Sequence, residues 1–250
     1  MLFAHGDNSL QKTIVVIDHQ HIHVEIGRSI VPQIFVSNVG RQRRRRLKWG
    51  YPIYWHRGKA SHPNEFAKRG FEPDMYLADM VRPNLDDIPQ APMPDGLVVR
   101  EPTSDEFRKV WEADVEAFRD HHGASEPREE WFENWISQPD MDPSLWRVAW
   151  DGDEVAGQVR SYIDVAQNEE YGRLRGWTED ISTRRPYRGR GLARSLLCQS
   201  LEAVRDAGMT EAALSVHTAN KLGAYRLYES VGFVVENSEI FFTKPFAPPN

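Results

Sequence analysis

Cysteine is almost missing from this chain: Cys198 is the single one in 250 residues. That excludes an intrachain disulfide framework and a multi-thiolate zinc site, and nothing calls for an oxidising compartment. Long apolar runs are missing too. No stretch approaches the roughly 18–20 consecutive apolar residues of a membrane span, and the opening MLFAHGDNSLQK has no basic start leading into an apolar core. These absences predict a cytoplasmic protein without a membrane-bound or secreted form.

What the chain does have is interior material. Hydrophobic residues make up 40%, with 8 Trp and 11 Phe, against 27% charged residues, so it can bury a sizeable core. Charge is distributed unevenly. Residues 1–90 carry 13 Lys/Arg and 9 Asp/Glu, whereas residues 91–250 carry 18 and 28. The proline-rich DDIPQAPMPDG, residues 86–96, lies between these halves and resists continuous helix or strand. Two regions are expected, 1–90 and 91–250. The acidic second region would repel a phosphate backbone, so no nucleic-acid partner is expected. RQRRRR, Arg41 to Arg46, is the local exception, and no recognition helix, zinc module or aromatic platform accompanies it.

In TIVVIDHQHIHV, residues 13–24, one or two strands are expected. A two-residue period puts His19, His21 and His23 on one face. Same-face neighbours in one strand stand about 6–7 Å apart, which is poor geometry for one ion, and no metal site is assigned. FAKRGFEPDMYLADM, residues 66–80, predicts a helix end at Gly70 followed by a strand. From Gly96 onward LVVRE opens with a strand. A helix follows, with Phe107, Trp111, Val115 and Phe118 on one face. A short helix carrying Trp131 and Trp135 comes next, then a hairpin turning at Asp151–Asp153. LRGWTEDIST is a strand. GLARSLLCQSLEAVRDAG is a strong helix burying Leu192, Leu196, Leu197, Leu201 and Val204. EAALSVHT is a strand, ANKLGAYRLYESVG a helix, and FVVENSEIFFTKPF a closing strand pair. The order is mixed α/β with antiparallel hairpins.

The chemical signal lies in TRRPYRGRGL, residues 183–192, where a strand gives way to the long helix. Gly189 and Gly191 let a ligand approach the backbone closely. The unpaired N–H groups of the helix start suit phosphate oxygens, and Arg188 and Arg190 can add charge. GxxxxGK[ST] is absent, and Arg194 breaks the GxGxxG spacing, so neither the mononucleotide nor the dinucleotide loop applies.

RGRGLA, Arg188 to Ala193, is similar to the R/Q-x-x-G-x-G/A acyl-CoA motif of the GNAT superfamily of N-acetyltransferases. NKLGAYRLYESVGF, Asn220 to Phe233, resembles that superfamily's second conserved stretch. The resemblance covers residues 97–246 and is nearest to bacterial two-module GNAT proteins of the mycothiol synthase type. Since the first module's acyl-CoA motif is missing, it implies a truncated N-terminal remnant and linker in 1–90 and a catalytic GNAT domain in 91–250. It further implies an acyl-CoA N-acyltransferase fold, with a central, mostly antiparallel sheet flanked by helices. Acetyl-CoA is the implied cosubstrate and a small-molecule or peptide primary amine the implied acceptor, with direct attack in a ternary complex. A homodimer is compatible with this reading. Arg188, Gly189, Arg190, Gly191, Leu192 and Ala193 would hold the pyrophosphate. The strand ending at Thr183 would pair with the pantetheine arm and splay from EAALSVHT, with a backbone donor near Ile181 or Ser182 for the acyl oxygen.

The resemblance makes Tyr228 the acid toward the departing thiolate, with Tyr225 the nearby decoy. A phenol stays protonated at neutral pH. Asn220 would cap a helix or touch pantetheine. For the base, Glu179 and Asp180 border the acceptor side, and strict alternation puts them on opposite faces, Glu179 sharing parity with Trp177 and Ile181. His217 is a third candidate. Glu179 is preferred. Cys198 reads as core. The carboxylates Asp120, Glu126, Glu129, Glu130 and Glu133 either attract a cationic amine or form a solvated face. The acceptor itself is not legible. The competing function is an acyl-CoA-binding sensor that has lost turnover.

Overall fold

The computed structural model describes the backbone of residues 12–17 and 22–26, and residues 67–68, 70–119, 126–138, 141–217 and 223–245. Contacts divide the chain into two units, Met1–Leu77 with Asn237–Asn250, and Ala78–Glu236. In the first unit β1 (Lys12–Ile17) pairs antiparallel with β2 (Ile22–Ile26), and also with the C-terminal part of the last strand, from Ile240 to Pro245. The polyarginine run and the histidine side chains of HQHIH lie outside the described residues.

The second unit is built on a sheet ordered β3-β8-β7-β6-β5-β4. Its strands are β3 (Glu72–Arg82, entering the unit at Ala78), β4 (Val98–Arg100), β5 (Arg147–Asp151), β6 (Glu154–Tyr162), β7 (Arg175–Thr183) and β8 (Glu211–His217). Neighbours from β4 to β7 run antiparallel and β7–β8 parallel. The architecture is mixed α/β with a mostly antiparallel central sheet, as the alternation of hairpins and amphipathic helices predicts. The expected hairpin closes through Gly152 and Asp153, with Asp151 opposite Glu154 and φ +58° at Gly152.

Helices cover both faces. On one, α1 (Phe107–Phe118) and α2 (Glu129–Ile136) bury Val110, Trp111, Val115 and Trp135 against Trp146, Val148 and Trp150. On the other, α4 (Leu192–Asp206) buries Leu196, Leu197, Leu201 and Val204 completely. Of these, Leu197, Leu201 and Val204 share a core with Ala78, Met80, Leu85 and Phe233 and with Tyr228 of α5 (Ala224–Ser230). Residues before Gly96 therefore belong to this core.

Two readings are corrected. FVVENSEIFFTKPF is one strand, β9 (Val234–Pro245), not a pair; the turn tendency of Asn237 and Ser238 is a weak local preference, and the ladder with β1 keeps the following residues extended. Helix α3 (Val165–Tyr171) went unread, although Asp164 caps it by accepting the Gln167 N–H at 2.8 Å and Gly172 ends it at φ 61°.

Candidate active site

The strands β7 and β8 pair at only three positions, Arg175 with Glu211, Gly176 with Ala212 and Trp177 with Ala213. Both continue further, to Thr183 and His217, so beyond Trp177 they part. Side chains hold the fork where the ladder stops. The Thr178 hydroxyl donates to the Ala213 carbonyl at 3.2 Å, and Glu179 Oε1 accepts the Ser215 N–H at 2.9 Å. The Ser215 hydroxyl in turn donates to Asp79 at 2.6 Å.

A bulge shapes the β7 side of this opening. Arg160 faces Glu179 and Gln158 faces Ser182, so between these pairs β7 has one residue more than β6. Asp180 adopts φ +50°, the only described non-glycine residue with positive φ. This corrects the strict alternation of Glu179 and Asp180. Directly opposed residues point to one face, so Glu179 shares a face with Arg160, and Asp180 reaches the same Arg160 at 2.8 Å. The extra residue, absent from a period-two reading, brings both carboxylates to one side. The strands approach closely just beyond: a Cβ on Gly157 would stand 2.8 Å from the Ser182 carbonyl oxygen.

Beneath the bulge lies a buried ionic cluster. Arg160, 3% exposed, bridges Asp180 and Asp114 of α1, the latter at 3.0 Å. Gln158 donates to Asp114 and to the Val110 carbonyl, both at 3.1 Å. The Trp135 ring lies over the guanidinium at 4.6 Å.

These surroundings separate the carboxylates. Burial pushes Glu179 up to about 8, and the charges of Asp180 and Asp79 add to the rise. Burial opposes ionisation of Asp180 as well, but the Arg160 guanidinium favours its charged form, and the carboxyl lies below its usual range. Burial raises Asp114. Tyr228, 7% exposed, has its phenol raised by burial and then by the negative field of Glu179. The two residues preferred for base and acid thus act on each other electrostatically.

The RGRGLA turn forms the end of β7's continuation into α4. Gly189 and Gly191 have φ +74° and +84°, and a Cβ at either would meet nothing within 4 Å. Gly191 precedes the helix with no side-chain cap, and the Ser195 N–H to the Gly191 carbonyl, 3.1 Å, closes the first turn. The N–H groups ahead of Ser195 have no carbonyl one turn upstream in the helix. Positive-φ glycines facing open space at a bare helix start fit a pyrophosphate. Leu192 is buried and Ala193 half-buried. Arg188 turns toward the protein, donating to the Thr183 carbonyl at 3.0 Å and the Ala117 carbonyl at 2.8 Å. Arg190 reaches the Asp95 carbonyl at 3.1 Å.

Ile181 is half-buried between two core clusters, Ser182 is buried, and the Thr183 hydroxyl is buried with no hydrogen-bond partner among the described residues. His217 ends β8, half-buried. Asn220 and Asp120 lie outside the described residues. Cys198 is 3% exposed and burial raises its thiol, which suits core packing. Glu129 is paired with Arg108. Arg160, Asp114, Ser215 and Gly157 were not picked out from sequence. The signal for two of them was present: Gln158 and Arg160 alternate within β6, and Asp114 interrupts the apolar face of α1.

The sequence pattern of the acetyltransferase (GNAT) family matches residues 107–233. The chain belongs to that family. It is 30% identical to mycothiol acetyltransferase of Catenulispora acidiphila over 179 residues, 70% of this chain and 56% of that protein. With N-alpha-acetyltransferase MAK3 of Arabidopsis thaliana it shares 37% identity over 61 residues, 24% and 32% of the respective chains. The crystal structure of a GCN5-related N-acetyltransferase from Sphaerobacter thermophilus is similar at a TM-score of 0.60 and 27% identity, covering 75% of this chain and 56% of that one. The chain thus matches little more than half the length of the first relative and of this structure. The GNAT match includes the fork, the bulge, the glycine turn and Tyr228. Among the described residues no helix is long and apolar enough to cross a membrane.

Proposed function

We propose that this protein transfers an acetyl group from acetyl-CoA to a primary amine of a small molecule or peptide, by direct attack in a ternary complex. The observation that carries this reading is the opening between β7 and β8, bordered by the Glu179 carboxyl, which burial raises to about 8 and whose field reaches the buried phenol of Tyr228. Acetyl-CoA would supply an acyl group activated as a thioester. The N–H groups from Gly189 to Ala193 would hold its pyrophosphate, and the β7 edge from Ile181 to Thr183 would bind its pantetheine amides.

Glu179 is the base in this reading. A base works best with a pKa near the operating pH, and Asp180, held ionised by Arg160, has little affinity for a proton. Glu179 would take a proton from the attacking ammonium or amine, directly or through water. Tyr228, whose pKa is raised, would donate to the departing sulfur. A backbone N–H at the 180–182 bulge would hold the acyl oxygen. No covalent intermediate on the protein is required.

We also read the part of residues 1–90 that precedes Ala78 as the remainder of a first GNAT module, the residues from Ala78 onward sharing the core of the second unit. The test of the activity is thiol release from acetyl-CoA across a broad panel of amines. Acetyl-CoA binding without amine-dependent thiol release from any member would favour a sensor.

A further inference from the structure

Asp180 adopts a backbone conformation that L-residues disfavour. It does so at the bulge, where the 180–181 backbone leaves the β6 ladder. Such conformations persist when their surroundings over-determine them. Here the surroundings are specific: the Asp180 carboxylate lies 2.8 Å from Nη2 of Arg160, and that same nitrogen lies 3.0 Å from Asp114.

Arg160 is itself fixed from three elements. It projects from β6, α1 supplies Asp114, and α2 supplies the Trp135 ring over the guanidinium face. Gln158 locks Asp114 in turn. Stability does not account for this cluster. Buried ion pairs rarely gain over well-packed apolar side chains, and Nε and Nη1 of Arg160 are buried without hydrogen-bond partners among the described residues. What the cluster does provide is a rigid attachment point for one strained residue beside the fork.

We propose that Arg160 is a positioning residue whose ion pair with Asp180 holds the β7 bulge so that the Ile181 backbone N–H faces the opening and receives the acyl carbonyl oxygen. The inference rests on the acetyl-CoA reading above and adds the device that aims the donor. It ties the two helices of the α1–α2 face to the transfer site, since both contact the cation that sets the bulge.

The test uses the full chain and two probes, acetyl-CoA and CoA, which differ by the carbonyl in question. Calorimetry gives each affinity, and the melting transition reports folding. The wild type should prefer acetyl-CoA. Asp180→Ala removes the anchor and disfavours positive φ, and should cut that preference about 3- to 10-fold, the range for one hydrogen bond. Asp180→Gly also removes the anchor but adopts positive φ freely, and should retain the preference. Arg160→Gln combined with Asp114→Asn, which takes the cation from the Asp180 carboxylate, 18% exposed, but strands no charge at Asp114, should behave as Asp180→Ala, and adding Asp180→Gly, which removes that remaining charge, should restore it. Should the double variant not fold, the Asp180 pair decides alone, because both members keep the Arg160–Asp114 contact. Equal losses in Asp180→Ala and Asp180→Gly would overturn the proposal in favour of a charge effect. Unchanged preference in all variants, or equal wild-type affinity for the two probes, would overturn it too. Failure of the wild type to bind either probe would instead remove the acetyl-CoA reading beneath it.

Discussion

Glu179 Oε1 accepts the Ser215 N–H at 2.9 Å across a gap in which β7 and β8 no longer pair. The carboxylate substitutes for the ladder and keeps the fork at a fixed width without filling it with backbone. The same side chain projects its charge onto Tyr228. One residue thereby joins the architecture of the opening to its acid–base chemistry.

The pH dependence of activity and of stability should run in opposite directions. Glu179 acts as a base when ionised, so the rate with an accepting amine should rise with pH around 8, and Glu179→Gln should lose that limb. In the unfolded chain the carboxyl ionises near its ordinary value of 4.5, so between 4.5 and about 8 the folded state holds a proton that the unfolded state has released. Stability from this group is complete below 4.5 and is lost as pH rises through 8. The melting temperature of the wild type should therefore fall relative to Glu179→Gln across that window. A constant difference between the two proteins would show that the carboxyl is not raised.

Met80 should matter to folding and not to ligand binding. It is 1% exposed and shares a core with Leu197, Leu201 and Phe233, although it precedes the proline-rich segment. Met80→Ala should cost about 2–5 kcal/mol in chemical denaturation, with acetyl-CoA affinity unchanged in the folded protein. Wild-type stability in this variant would show that the core does not depend on β3.

The periodic parts of this chain were legible because burial imposes a repeat. The side of α4 lined by Leu192, Leu196, Leu197 and Leu201 was read residue by residue, and the DGD turn located its hairpin. The bulge was not legible, because an inserted residue breaks the very period used to read the strand; Glu179 and Asp180 were consequently assigned opposite faces. Arg160 escaped for a related reason. A charged residue in a strand ordinarily marks a wet face, and only the arrival of Asp114 from α1, 46 positions away, turns that face into a buried one.

The glycine turn should be sensitive to shape and insensitive to the nearby charge. Gly191→Val puts a β-branched side chain at φ +84° and into the open space ahead of α4. Acetyl-CoA affinity should fall at least about tenfold. Arg190→Ala should change it by less than about threefold, since that exposed guanidinium reaches the Asp95 carbonyl. Calorimetry on both folded variants decides. Wild-type affinity in Gly191→Val would move the phosphate site elsewhere.

Tyr228 should act after acetyl-CoA has bound, because the charge it relieves develops on sulfur only as the thioester breaks. The phenol is buried and its pKa is raised, so it arrives at that step protonated. Tyr228→Phe retains the edge contact with Phe233, whose ring centre is 6.3 Å away, and removes only the hydroxyl. Packing and proton donation are thereby separated. If donation matters, kcat should fall by about 10- to 1000-fold while acetyl-CoA affinity and the melting transition stay close to wild type. Thiol release at the wild-type rate, with an accepting amine in hand, would remove Tyr228 from the chemistry and leave water as the donor. A parallel loss of affinity and rate would assign the hydroxyl to organising α5 beside the fork. The pH profile supplies an independent check: with Glu179 ionised its field favours the protonated phenol, so Tyr228→Phe should lower the rate on the plateau without moving the ascending limb near 8.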